Sequence, residues 1–178
     1  MKQALIAGLC TALLLASSAS RAWDPNEDEE MEANVKAAVT DLLGKDPDMK
    51  RFFDKSAGYV VIPTVGKGGI GIGGARGHGR LYEGGKATAK VTLTQLTIGF
   101  QWGGQAYSEF IFFKDKAALE DFKKGNYELG AQASAVAATA GASADADYSS
   151  GVAIFTQAKG GLMYEASVGG QKFKVEPL

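Results

Sequence analysis

Between Val65 and Lys86 the chain reads "VGKGGIGIGGARGHGRLYEGGK", with glycine at almost every second position. The spacing G-x-G-x-x-G occurs twice here, from Gly66 through Gly68 to Gly71 and from Gly69 through Gly71 to Gly74, directly after the strand-like "GYVVIPT". A dinucleotide fingerprint requires these glycines to open a helix whose N-terminus faces the pyrophosphate. The next residues are instead "ARGHGRLYEGG", in which Gly77 and Gly79 would each cost a helix about 1 kcal/mol. The phosphate-loop pattern fails too, since in "RLYEGGKA" Arg80 occupies the place of its first glycine and Ala87 that of the magnesium-binding hydroxyl. Nucleotide binding is excluded, and the glycines are architectural. Gly69, Gly71 and Gly73 would leave one strand face bare for close packing, with Ile70 and Ile72 on the other. Such a strand bends readily, as a curling sheet requires.

The segment ahead of the fold has the pattern of an export signal. Lys2 precedes the apolar run "ALIAGLCTALLLA", and "SSASRA" places Ser20 and Ala22 at the −3 and −1 positions of a cleavage site. The run is too short for a membrane span. Residues 1–22 are therefore expected to be a cleaved signal peptide, with one domain over 23–178 delivered to the periplasm or cell envelope of a bacterium, or secreted. Cys10 is the single cysteine and lies in this leader, so the mature chain would have no disulfide, thiolate nucleophile or cysteine metal site.

"DPNEDEEMEANVKAAVTDLLGKD" opens with Asp24 as N-cap and Pro25 at the first helical position; Met31, Val35, Ala38 and Leu42 share one face, and Gly44 ends the pattern. "DPDMKRFFDKS" repeats the start signal at Asp46 and Pro47 and predicts a short helix bearing Phe52 and Phe53. "GYVVIPT", "GIGIGGAR", "HGRLYE", "KATAKVTLT", "QLTIGFQWG" and "QAYSEFIFF" then read as short strands separated by glycine. Val91 and Leu93 fall on odd positions, but Leu96, Ile98, Phe100 and Trp102 on even ones, which predicts a bulge or turn near Gln95. "KDKAALEDFKKG" is one interior helix capped by Asp115, with Leu119 and Phe122 inward and Gly125 as its terminator. "LGAQASAVAATAGASADADY" reads mostly as strand, and "GVAIFTQAKG", "GLMYEASVGG" and "QKFKVE" finish the sheet. The fold class is α+β: N-terminal helices followed by a curved antiparallel Gly-rich sheet, or a partly closed β-barrel, with one interior helix.

Charge is distributed unevenly. Nine acidic residues lie between Asp24 and Asp48 against Lys36 and Lys45, whereas Lys67, Arg76, Arg80, Lys86 and Lys90 are accompanied only by Glu83. The glycine-rich stretch is thus also the basic one. Basic residues on edge strands discourage aggregation; equally, each attracts an anionic surface by about 1 kcal/mol, and arginine matches phosphate oxygens bidentately. Lys67, Arg76, His78, Arg80 and Lys86 are the candidate head-group contacts. The even spacing of Arg76, His78 and Arg80 sets them on one strand face, about 7 Å apart, where Arg76→Ala with Arg80→Ala is expected to weaken anion binding and leave stability nearly unchanged. His78 is the single histidine, too little for a catalytic triad or a histidine metal cluster. Asp145 and Asp147 lack companion ligands for a cation, so no metal and no cofactor is expected. Phe52, Phe53, Trp102, Tyr107, Phe110, Phe112 and Phe113 are assigned to the core, and no basic–aromatic interleaving suited to nucleic acid occurs.

Four ordered blocks, "SAGYVVIPTVGKGGIGIGGARGHGRLYEGG", "TIGFQWGGQAYSEFIFFKD", "YELGAQASAVAATAGASADAD" and "AIFTQAKGGLMYEASVGG", resemble the SYLF domain over about Lys36 to Lys174. The resemblance implies a non-enzymatic module that binds anionic lipids, with phosphoinositides and actin bound by some eukaryotic members. The acidic first helix departs from the basic N-terminal surface through which some relatives engage membranes or actin, which weakens the case for actin. The rival from another class is a small outer-membrane β-barrel with a structural role, against which stand the capped helices and the non-aromatic end "KVEPL".

Overall fold

The computed structural model describes residues 25–99, 105–125, 127–130, 135–159 and 168–178. The expected leader, Trp102 and most of "GLMYEASVGG" lie outside them. Helix α1 (Pro25–Lys45) runs one residue past Gly44. Asp46 then caps a 3-10 turn over Pro47–Met49 by accepting from the Asp48 amide at 3.2 Å, and α2 (Lys50–Lys55) comes next. These start signals lie in the local sequence, so they were legible without a fold.

Strand β1 (Gly58–Glu83) is 26 residues long and takes up all three segments expected as separate strands. Its first part pairs with β3 (Gln105–Phe113) and its last part with β2 (Lys86–Gly99). The two parts also meet each other. A β-carbon on Gly79 would stand 2.2 Å from the Val61 carbonyl oxygen, one on Gly77 would stand 2.7 Å from Ile62 Cγ2, and one on Gly58 would stand 3.0 Å from the Tyr82 carbonyl oxygen. A straight strand would separate residues 61 and 79 by about 60 Å. The chain therefore doubles back through the glycine-rich middle of β1, and Gly77 and Gly79 pack tightly against its first part. On the β3 side the register slips between Ile62 and Val65, which puts Pro63, lacking an N–H, in a bulge where Ser108 Oγ donates to its carbonyl at 2.8 Å.

Gly84 and Gly85, with φ of 57° and 78°, make the two-residue turn from β1 to β2. Strand β2 is continuous, and the bulge expected near Gln95 lies instead at Thr88, between the pairs Leu81–Ala89 and Tyr82–Ala87. Ala89, Val91, Leu93 and Gln95 all point inward. Leu96, the first of the apolar residues at even positions, stands 83% exposed on the opposite face.

Helix α3 (Lys116–Lys123) starts at Asp115, which accepts from the Ala118 amide at 2.9 Å, and buries Leu119 and Phe122 as expected. After β4 (Tyr127–Glu128), the segment expected to be mostly strand supplies only β5 (Val136–Ala137) and a second interior helix, α4 (Ala142–Asp145), among its described residues. Alanine's helix preference and the turn at Gly141 override the alternation of small residues there. Strands β6 (Val152–Ala158) and β7 (Lys172–Pro177) complete a sheet ordered β4-β7-β2-β1-β3-β6-β5. All pairs are antiparallel except β5–β6, so the sheet is mixed. The sheet is curled into a half-barrel. Its described edges, β4 and β5, do not pair with each other, and helices cover part of its outer face, features that do not favour a closed outer-membrane barrel.

Both faces are packed. The inner cluster joins Val60, Ile62, Leu81, Val91, Leu93, Ile111, Phe113 and Phe173 with Leu119 and Phe122 of α3. The outer cluster seats Val35, Ala38 and Leu42 of α1 and Phe52 of α2 on Val61, Phe110, Phe112 and Phe155. The described aromatic residues assigned to the core are in it: Phe52, Tyr107, Phe110, Phe112 and Phe113 are buried, and Phe53 packs at the margin of the outer cluster.

Candidate functional site

On the outer face, strand alternation brings out Arg76, His78 and Arg80 of β1 together, as their even spacing requires. Register then adds neighbours that sequence proximity could not. Arg76 pairs with Thr94, which pairs with Lys172; His78 pairs with Thr92, which pairs with Lys174; Arg80 pairs with Lys90, which pairs with Glu176. Adjacent strands lie about 4.8 Å apart and alternate residues about 6.6 Å apart. Arg76, His78, Lys172 and Lys174 thus mark the corners of a patch about 10 Å by 7 Å, the size of one or two phosphate groups.

The patch is open at one end and covered at the other. Arg76, His78, Lys172 and Lys174 are exposed, as is Leu96, which lies two residues past Thr94 on the same face and pairs with Gly74. His78 Nδ1 lies 3.2 Å from Thr92 Oγ1, which sets the ring against β2. Lys172 reaches Glu128 at 3.4 Å and Lys174 reaches Glu176 at 2.9 Å, both in exposed pairs. Such pairs contribute about 0–1 kcal/mol, so either lysine exchanges its partner for a phosphate oxygen at little cost.

Arg80 is different. Its side chain is 6% exposed and donates to Asp28 of α1, with Glu32 of the same helix 3.8 Å away. Lys90 Nζ lies 3.0 Å from the same Asp28 carboxylate, and Tyr82 donates its hydroxyl hydrogen to Glu32 at 2.8 Å. Burial, with the Glu32 contact second, pushes the Tyr82 phenol well above its ordinary range. The acidic first helix therefore lies on the basic strand, which accounts for the uneven charge of the chain. Arg80 must be removed from the freely exposed candidates, and the expectation that its loss leaves stability unchanged is corrected.

Two other candidates separate from the patch. Lys67 points to the inner face, is 8% exposed, and burial holds its amine below the usual lysine range. Lys67 and Arg76 lie nine residues apart on β1, an odd separation, so alternation sets them on opposite faces. Lys86 sits just past the Gly84–Gly85 turn, paired with Glu83 in the ladder at the far end of the hairpin. Lys172 and Lys174 were missed because "QKFKVE" reads as one more alternating strand, and nothing local shows that it lies beside β2.

Away from this face, Asp147 accepts from the Tyr148 amide at 2.7 Å, and Asp145 ends α4 rather than lying on a strand edge. Among the described residues no helix is long and apolar enough to cross a membrane.

A curled sheet that presents cations and a leucine on one exposed face is the architecture of a binding module. The family model described as Ysc84, Las17-binding protein actin regulator, matches residues 94–177. Beta cell expansion factor A of Aeromonas veronii is 30% identical over 142 residues, covering 78% of this chain and 53% of that protein. The chain thus spans about half the length of the curated relative it matches. It belongs to the SYLF family, a family of non-enzymatic binding domains.

Proposed function

We propose that the chain is an exported, non-enzymatic module that docks on anionic lipid surfaces through the outer face of β1, β2 and β7. The observation that carries this is the bare end of that face, where Arg76, His78, Lys172 and Lys174 surround two threonines and Leu96 projects 83% exposed beside them. Cations supply about 1 kcal/mol each near an anionic surface. The leucine adds apolar area that only a membrane or an apolar partner would cover. The leader-like residues 1–22 support delivery to a cell envelope. Among the described residues the N-terminal helix α1 is acidic, which does not support the actin partner named in the family description.

The test is flotation of the chain lacking residues 1–22 with vesicles of phosphatidylcholine alone or with added phosphatidylglycerol. Recovery is expected with the anionic vesicles and should fall as salt rises, because screening limits the attraction to about 8 Å at physiological ionic strength. Equal recovery with both compositions would remove the electrostatic docking, and no recovery with either would remove lipid binding.

A further inference from the structure

The covered end of the same face is a second anion site that the protein fills with its own carboxylate. Asp28 lies between the Arg80 guanidinium and the Lys90 ammonium, the latter at 3.0 Å. Glu32 adds a carboxylate 3.8 Å from Arg80 Nε. Arg80 is held ready for an oxyanion, with its side chain 6% exposed and its Nη1 bonded at 3.4 Å to the Gly79 carbonyl. A carboxylate clamped by a buried guanidinium and an ammonium occupies the place that a phosphate monoester or diester would take.

The part of α1 that carries this carboxylate is the part least anchored by packing. Apolar contact begins with the half-buried Met31, and full burial begins at Val35. Ahead of Met31 the helix offers Asn26, Glu27, Asp28, Glu29 and Glu30, all polar. Asp28 and Glu32 tie the first two turns to the sheet through contacts with Arg80, Lys90 and Tyr82, and those contacts are electrostatic. From Val35 onward, apolar burial fixes the helix independently of charge.

The geometry points to Arg80 and Lys90 as a latent subsite for the phosphate of a membrane head group, with Asp28 and Glu32 of α1 as the displaceable internal ligand. Resting on the lipid-docking role proposed above, the subsite extends the patch of Arg76, His78, Lys172 and Lys174 by one rung of the ladder when the first two turns of α1 lift away. Anionic surface drives the release twice over. It supplies phosphate to the two cations, and it repels Glu27, Glu29 and Glu30 beside it.

The experiment compares the parent, Asp28→Asn with Glu32→Gln, and the control Glu29→Gln with Glu30→Gln, which removes the same charge from exposed positions of the same helix. Flotation with phosphatidylglycerol vesicles is expected to give about tenfold tighter binding for the first variant and a clearly smaller gain for the control. Equal gains would overturn the subsite and leave the docking face standing, because general charge would then be the whole effect. Binding by none of the three proteins would instead defeat the docking role itself.

Hydrogen exchange on the parent keeps the test independent of whether the first variant folds. Amides of Glu29–Glu32, the first in α1 with intrahelical hydrogen bonds, should exchange faster on anionic vesicles than on neutral ones, while those of Val35–Leu42 stay protected. Unchanged exchange over Glu29–Glu32 during vesicle binding overturns the proposal. Release by millimolar inorganic phosphate without vesicles would support the anion site but overturn the membrane as the source of its ligand.

Discussion

Gly79 approaches Val61 so closely that a β-carbon on it would stand 2.2 Å from the Val61 carbonyl oxygen and 2.9 Å from the Ile62 Cα. Both obstacles are backbone, so no rotamer change relieves them. Gly79→Ala is expected to destabilise the fold by about 3 kcal/mol, the upper range for overpacking. Gly66→Ala is the contrast within the same strand, since nothing lies within 4 Å of the added carbon, and it should change stability by about 0.5 kcal/mol at most. Urea denaturation of both variants measures the difference. Similar midpoints would show that β1 does not double back as described.

Glu109 sits on the inner face, fully buried, with Gln171 donating to its Oε2 at 2.9 Å. Burial raises its carboxyl to about 8 against an ordinary 4.5, and the Gln171 bond offsets only part of that rise. Between these two values the native state holds a proton that the unfolded chain has released. Stability should therefore fall as pH rises from about 4.5 to 8 and stop falling above, through this group. Glu109→Gln keeps the shape without the charge, so its stability should exceed the parent's at about pH 8.5 and match it near pH 4.5. A parallel pair of stability–pH curves would show that Glu109 is not the titrating group.

Arg80 and Arg76, four residues apart on one strand face, should behave as opposites. Arg80→Ala removes the guanidinium from both Asp28 and Glu32. The pair is buried on the arginine side but partly solvated on the helix side, so the expected loss is about 2 kcal/mol rather than the full cost of a buried pair. Arg76→Ala should leave thermal stability nearly unchanged while weakening recovery with anionic vesicles severalfold. Lys172→Ala should resemble Arg76→Ala. Calorimetry and flotation on the three variants separate the structural cation from the surface ones.

Asp46 joins the helical layer to α4. It is 2% exposed, caps the 3-10 turn, and accepts from the Ser143 amide at 2.8 Å, while Arg51 donates to the Ser143 carbonyl. Burial alone would raise its carboxyl, but the Ser143 and Asp48 hydrogen bonds and the Arg51 charge outweigh it and hold it below the ordinary 3.8. Its stabilising effect is therefore present above the ordinary value and is lost as pH falls through the lower native one. Asp46→Ala is expected to cost about 2 kcal/mol, combining a lost cap with an unpaired buried amide. Equal unfolding midpoints for variant and parent at about pH 6 would show that the cap is not structural.

The local sequence determined what short-range chemistry controls. Pro47 and Asp46 specify a helix start wherever the chain goes, as does Asp115 for α3, because the capping bonds span two or three residues. Alternation put Arg76, His78 and Arg80 on one face because the period of a strand is two. Glycine without a succeeding helix excluded a dinucleotide fingerprint, and the ordered blocks carried the family. These features depend on neighbours in the chain, so the chain displays them.

Only the tertiary structure decided which of those residues are available. Arg76 and Arg80 have the same face, spacing and charge in sequence. One stays in solvent and the other is buried because α1, about fifty residues upstream of Arg80, lays Asp28 on it. Lys172 and Lys174 join the patch through the β2–β7 register, which pairs them with Thr94 and Thr92. Long-range pairing of this kind is set by which apolar faces can be buried together, a property of the whole chain's packing that no local pattern contains.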